Sequence, residues 1–514
     1  MTADSYTKVT ENGIRKKLLD LEKVLWVTAH DGKVELSTII PSGNEHGFSL
    51  PAITLSSLGD PAFRTRYGLL YNLYAGAMAN GIASEKMLIA LGKAGLMGSF
   101  GAAGLSLERV QTAIHTVQQE LPQGPFAFNL INSPSETGLA EHLVEMYLKN
   151  QITFVEASAF LGMTAPLVHY RAAGLTQNPD GSVVIHNRII AKLSRVEVAK
   201  RFMEPAPVDL LKQLVEEGKI TTQQIELAQR VPMADDITVE ADSGGHTDNR
   251  PLVCMIPSML TLRDQIQATR KYAVPVCVGA AGGISTPEAA LAAFMMGAAY
   301  VVTGSVNQAC VESGTSEPVR DLLRKAASTD IAMAPAADMF EMGVRVQVLK
   351  RGTFFPQRAQ KLYELYSRYN AIEDLPAEER QKLETQIFQC SLADIWKETN
   401  TFFAQHDPKQ LERAMADAHL KMALIFRWYL GLSSRWAVNG DKNREMDYQI
   451  WCGPAMGAFN DWVQGTFLES TQNRHVVDVA MQLLTGAAYL SRIRLMEIQG
   501  VRLPAALSTY RVNS

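Results

Sequence analysis

The sequence predicts an α/β protein: an eight-stranded (β/α)8 TIM barrel carrying a helical insertion and a helical C-terminal domain. Three observations predict it. Short apolar runs alternate with amphipathic helical patterns between about Pro51 and Asn370. The runs are uniformly apolar rather than alternating, as strands buried on both faces are. No GxGxxG follows the first strand, which sets aside an open dinucleotide-binding sheet.

Taken in order, residues 1–50 read as an N-terminal extension. Segments near Leu69–Ala79 and Gly95–Phe100 supply the first two strands. PFAFN (125–129), ITFVEA (152–157), RIIAKLS (188–194), ITVEA (237–241), VPVCVG (274–279) and YVVTG (300–304) supply the other six. Helical patterns such as ETGLAEHLVEMYLKN and TPEAALAAFMMGA separate them, the spacing of parallel β/α units. Residues 196–231 read as extra helices inserted between two strands. The barrel then spans 51–370. The charged stretch NAIEDLPAEERQKLE leads into a helical domain, 371–514, where FRWYLGLSSRW and DYQIWCGPAMGAFNDWV carry four of the six tryptophans.

The bulk composition excludes several classes. A net charge of -4 and pI of about 6.2 give no electrostatic footprint for a nucleic-acid partner. The first residues lack the apolar core of a signal peptide, and the longest apolar run, 289–302, is too short to span a bilayer. Five scattered cysteines without a CxxC favour reduced thiols and no zinc site. The expectation is a cytoplasmic enzyme without membrane contact.

Two glycine-rich turns carry the first chemical signal. In AAGGISTPEAA, Gly282 and Gly283 permit a tight turn and close approach to a ligand. Ser285 or Thr286 caps the next helix, with Glu288 placed for a capping box. Gly304 and Ser305 in VVTGS repeat the arrangement one unit later. In a barrel these turns are neighbours, so together they predict a phosphate-bearing cofactor. A second signal is EADSGGHTDNRP, 240–251, which crowds titratable groups at the end of a predicted strand. His246 has an intrinsic pKa near working pH, which suits proton transfer. Asp242 is placed to orient its ring, and Gly244 and Gly245 to clear space for a planar substrate. Asn249 and Arg250 are candidates for binding substrate or a nicotinamide cofactor.

The motifs AMANGIASEKM, GLMGSFGAAGLS, DSGGH, AAGGI and TGS occur in an order that resembles the FMN-dependent nitronate monooxygenase-like barrels, which include FabK-type flavin enoyl reductases. ADSGGHTDNRP, APAADMFEMGVRVQVLKRG, FRWYLGLSSRW and DYQIWCGPAMGAFNDWV are more closely similar to the PfaD family. Those are trans-acting enoyl reductases of polyunsaturated fatty acid and polyketide synthases. The resemblance covers about Ala52 to Gly500. It implies FMN as cofactor, NADPH or NADH as reductant, and acyl carrier protein domains as partners. By the same resemblance Met78, Ala79 and Asn80 lie along the flavin ring, and Asn129 and Lys192 contact it. Gly282, Gly283, Gly304 and Ser305 hold its phosphate, and Glu240 and Gly245 join the cofactor set. The acidic residue before SGGH stands closer to the histidine than in the FabK type.

In that reading hydride reaches the β-carbon of an enoyl thioester from the flavin, and His246 protonates the α-carbon. The basic stretch RVQVLKRG, with Arg358 and Lys361, is a candidate for an acidic carrier surface. Trp428, Trp436, Trp451 and Trp462 read as core of the helical domain. Two other readings stand beside this one: a nitronate monooxygenase-type oxidase, and a noncatalytic barrel scaffold of a synthase complex. Barrels with exposed helical additions often pair, which admits a homodimer.

Overall fold

Eight short parallel strands close into a barrel in this computed structural model, which describes residues 12–30, 33–39, 47–132 and 138–512. They are β1 (Leu73–Ala75), β2 (Met97–Phe100), β3 (Ala127–Ile131), β4 (Phe154–Ser158), β5 (Arg188–Leu193), β6 (Asp236–Glu240), β7 (Cys277–Ala281) and β8 (Val301–Thr303). All eight predicted strands are present, and each pairs in chain order with β8 returning to β1. The predicted insertion forms helices Val196–Met203, Val208–Glu216 and Thr222–Ala228 between β5 and β6.

Inward-facing residues recur with period two along each strand and so stack in layers across the barrel. At the N-terminal end the layer is apolar: Tyr74, Met97, Ala127, Ile190 and Cys277 pack together. The helix Pro61–Tyr67 closes that end. Asp60 caps it, accepting from the Ala62 N–H at 2.8 Å. Its Phe63 stacks on Tyr300 with ring centroids 3.8 Å apart. Arg66 pairs with Asp236, and Arg171 with Asp235 at 2.7 Å, so the charges buried there are matched. Chemistry is thereby confined to the opposite, C-terminal end.

A second apolar core lies outside the barrel. It joins Ala334, Phe340, Val346 and Val348 to helices Phe355–Arg368, Leu392–His406 and Ala418–Asn439. Its strands, Ile331–Pro335 and Arg345–Leu349, form an antiparallel sheet with Gly245–His246. Neither strand is predicted from the sequence, where 345–352 reads as a basic stretch. The chain then returns: Tyr448, Cys452, Phe459 and the helix Val476–Ile498 join the barrel's own core. Gly486 permits this packing, since a Cβ there would lie 2.4 Å from Pro287 Cγ. Among the described residues no helix is long and apolar enough to cross a membrane. All five cysteines are free.

Candidate functional site at the barrel mouth

Above the apolar plug the inward layer turns polar. Asn129 on β3, Glu156 on β4, Lys192 on β5 and Glu240 on β6 converge there. Lys192 Nζ lies 3.1 Å from Glu240 Oε1. Burial alone favours a neutral amine, but Glu240 and Glu156 outweigh it and raise the Lys192 pKa. Glu156 is fully buried. Burial raises its pKa, opposed by Lys192 and by the Ala77 N–H, which donates to both carboxylate oxygens at 3.3 and 3.2 Å. The Asn129 amide donates to Glu156 O at 3.0 Å and Ser158 Oγ at 2.9 Å. The result is one cation held protonated at the mouth, on a rigid network of β-strand side chains.

The glycine turns that follow β7 and β8 open at the same, C-terminal end of the barrel. Gly282 (φ +84°) cannot carry a side chain, because a Cβ would lie 2.7 Å from the Ala241 carbonyl carbon. Gly283 and Gly304 instead face open space. Among the described residues the N–H groups of Gly283, Gly304 and Ser305 donate to no protein acceptor. Unpaired amides facing open space suit an anion. The next helix starts at Pro287 with Thr286 as cap, accepting from the Ala289 N–H at 3.3 Å. Glu288 then stands one residue too early for the predicted capping box. Ser305 is engaged elsewhere: its Oγ accepts the Gly453 N–H at 3.2 Å.

After β1 the Met78–Asn80 loop folds back toward β2. Met78 O accepts the Ala83 N–H at 3.2 Å, and the Asn80 N–H donates to Ala103 O at 2.8 Å. Gly101 is required here, since a Cβ would fall 1.7 Å from Met78 O. Asn80 adopts φ +58°, and its amide donates to Ser434 Oγ in helix Ala418–Asn439 at 3.1 Å. The second core is therefore tied directly to the barrel mouth.

The loop after β6 departs most from expectation. Asp242 does not reach His246. Its Oδ1 accepts from Asn249 Nδ2 at 2.9 Å and Gln347 Nε2 at 2.8 Å, so it braces the loop. The carboxylate beside the imidazole is Asp338, 3.1 Å from His246 Nε2. Burial works against the histidine's charge, but the Asp338 hydrogen bond and charge outweigh it and raise the pKa. Gly244 also differs. The space left by its missing side chain is filled by protein, since a Cβ there would lie 2.8 Å from Cys452 N and 2.9 Å from its Cα. Gly245 is needed for its backbone, at φ +83°. Asn249 and Arg250 are exposed at the rim.

Four residues absent from the predicted set complete the site: Asp338, Gln347, Ser434 and Gly453. Gln347 is buried and makes three bonds, donating to Asp242 and Ser243 O at 2.8 Å each and accepting from Asn249 at 2.9 Å. The WCGP glycine could have signalled Gly453, because two glycines facing each other mark close backbone contact. Most of the basic stretch is committed internally: Arg351 pairs with Asp330 at 3.1 Å, Lys361 with Glu379 at 2.8 Å and Arg358 with buried Asp447. Trp428, Trp436 and Trp451 pack on the second core and Trp462 on the barrel core.

A family model described as nitronate monooxygenase matches residues 67–399. One described as acyl-carrier-protein S-malonyltransferase, inserted helical domain, matches residues 369–448. A polyunsaturated fatty acid synthase polypeptide of Thraustochytrium sp. is 49% identical over 492 residues, covering 94% of this chain and 33% of its own length. Polyketide biosynthesis protein PksE of Bacillus subtilis is 48% identical over 447 residues, covering 87% of this chain and 58% of its own length. The chain thus spans between about a third and three-fifths of the length of these two relatives. The enoyl reductase domain of MlnA, from the macrolactin biosynthesis cluster of Bacillus amyloliquefaciens, superposes with a TM-score of 0.82 at 39% identity, covering 87% of this chain and 100% of that domain.

Proposed function

The chain belongs to the nitronate monooxygenase family, and from that premise we propose that it is an FMN-dependent, NAD(P)H-driven enoyl reductase. It acts in trans on enoyl thioesters borne by acyl carrier protein, in polyunsaturated fatty acid or polyketide assembly. The observation that carries this reading is the barrel mouth itself. The N–H groups of Gly283 and Gly304 are left without protein acceptors at the same barrel end as a Lys192 held protonated, with a carboxylate-held His246 on the rim. The likeness to the enoyl reductase domain of MlnA supports the reaction type. The match to the helical domain of an enzyme named for acyl carrier protein supports the carrier as partner.

The residues present fit FMN. The glycine-turn amides would hold its phosphate, and Lys192 would balance negative charge on the pyrimidine part of the ring. FMN, when bound, supplies the hydride relay between NAD(P)H and the β-carbon of the enoyl thioester. Glu240 holds the Lys192 ammonium and Glu156 adds a second negative charge near it, while Asn129 ties β3 to β4 beside Glu156. His246 protonates the α-carbon at the end of that transfer. Asp338 keeps its ring charged to a higher pH than a free histidine and sets its orientation. Asp242, Asn249 and Gln347 hold the loop that carries it.

The test is anaerobic. Purified protein reconstituted with FMN is reduced with NADPH, and an enoyl-acyl carrier protein is then added. Return of the flavin absorption with formation of the saturated thioester is the expected result. Return only on adding oxygen with an alkyl nitronate assigns the oxidase activity instead, and no flavin band after reconstitution leaves only a scaffold.

A further inference from the structure

Helix Ala418–Asn439 carries a glycine, Gly431, well inside its length. Glycine is disfavoured in helix interiors, so its presence calls for a reason. Two other helix-interior glycines have one in packing: a Cβ on Gly457 would lie 2.0 Å from Ser328 N, and on Gly486 2.4 Å from Pro287 Cγ. Gly431 has none. A Cβ there would meet nothing within 4 Å, and its φ is not in the left-handed region.

Its position explains what the space is. Residues three or four apart share a helix face, so Arg427, Gly431 and Ser434 point the same way. Ser434 meets Asn80 of the loop after β1 at 3.1 Å. Arg427 pairs at 3.0 Å with Glu341, three residues from the Asp338 that holds His246. The face is thus pinned to the rim at two points, and Gly431 lies between them over a gap. The open space beside Gly431 is thus bordered by the contact to the Asn80 loop on one side and the contact to Glu341 on the other.

Resting on the enoyl reductase reading, we propose that Gly431 forms the wall of the passage by which the pantetheine-borne acyl chain reaches the barrel mouth. The residue is a steric determinant of which chains enter. The helix forgoes a side chain there because one would occupy the path.

The test is a size series, Gly431→Ala, Gly431→Leu and Gly431→Phe, reconstituted with FMN. Alanine and leucine are good helix formers and a Cβ meets no atom there, so Gly431→Ala should melt no lower than the parent protein, and the melting temperature of Gly431→Leu is read beside its affinity. Binding of hexanoyl-pantetheine, a saturated product analogue, is measured by calorimetry alongside NADPH-driven flavin reduction. We expect affinity to fall at least tenfold for Gly431→Leu and further for Gly431→Phe, with the NADPH half-reaction unchanged. Unchanged hexanoyl-pantetheine affinity in Gly431→Leu overturns the proposal. So does a loss confined to the NADPH half-reaction, which gives the gap to the nicotinamide. Failure of the enoyl reductase reading shows separately, as parent protein whose reduced flavin no enoyl thioester reoxidises.

Discussion

His246 and Asp338, 92 positions apart in sequence, meet at 3.1 Å on the rim of the barrel. The contact exists because the Arg345–Leu349 strand pairs with Gly245–His246, with His246 opposite Val346. It raises the histidine's pKa. The protonated form therefore persists above the ordinary value near 6.5, and its stabilisation is full below that value and lost as pH rises through the raised one. Enoyl reduction should fall with rising pH along the same limb. Asp338→Asn should move that limb to lower pH, whereas Asp242→Asn should leave it in place. NMR titration of His246 Cε1–H in each variant, alongside the pH profile of kcat, checks the assignment. Equal shifts in both variants would give Asp242 the orienting role after all.

Lys192 offers a test that separates cofactor binding from stability. Lys192→Met removes the cation that offsets buried Glu156 and half-buried Glu240. The cost should be about 1–3 kcal/mol, below the fully buried range because Glu240 keeps contact with solvent. FMN affinity should fall as well. Adding Glu156→Gln should recover most of the stability but none of the FMN affinity. Recovery of both by the double variant would mean that Lys192 serves the fold alone.

How much of this was visible beforehand depended on how local each signal was. The eight strands could be read because burial on both faces leaves a continuous apolar run in the chain itself. The Gly282–Gly283 turn could be read for the same reason: its backbone requirement is written in adjacent residues. Asp338 and Gln347 could not, since their importance arises only when a strand at 345–349 pairs with one a hundred positions earlier. RVQVL carries the period of a strand, but beside Lys350 and Arg351 the same residues read as a basic stretch. Gly244 illustrates a different failure. The missing side chain is legible in the sequence as room for a substrate, whereas the Cys452–Gly453 backbone that fills the space lies two hundred residues away.

Gly244 and Gly283 should accordingly respond differently to the same substitution. Gly244→Ala forces a Cβ against the Cys452 backbone, which cannot yield as a side chain can, and should cost about 1–3 kcal/mol. Gly283→Ala meets no atom but must hold φ +77°, a strain of about 1–2 kcal/mol. Only Gly283→Ala should weaken binding of FMN relative to riboflavin, because only it sets a methyl beside the amides proposed to hold the phosphate. Comparing the two ligands by fluorescence quenching in each variant checks this. A matching loss for riboflavin would move the phosphate away from that turn.

Asn80 joins the two cores, and its backbone and side chain can be tested apart. It holds φ +58°, which asparagine tolerates better than most residues, and its amide reaches Ser434 at 3.1 Å. Asn80→Gly keeps the backbone geometry and loses only the bond. Asn80→Ala loses the bond and also strains the left-handed turn, adding about 1 kcal/mol. Ser434→Ala loses the bond from the other side. If the bond fixes the helix over the mouth, Asn80→Gly and Ser434→Ala should raise KM for carrier-bound substrate by the same factor. Ser434→Ala should leave FMN affinity unaltered, and combining the two variants should add nothing further to KM. Asn80→Ala should additionally lower Tm, since the loop it strains is packed under Gly104, where a Cβ would fall 2.2 Å from Asn80 Oδ1. Additive KM effects in the double variant would show that the two residues act independently, and that the helix is held over the barrel by its other contacts.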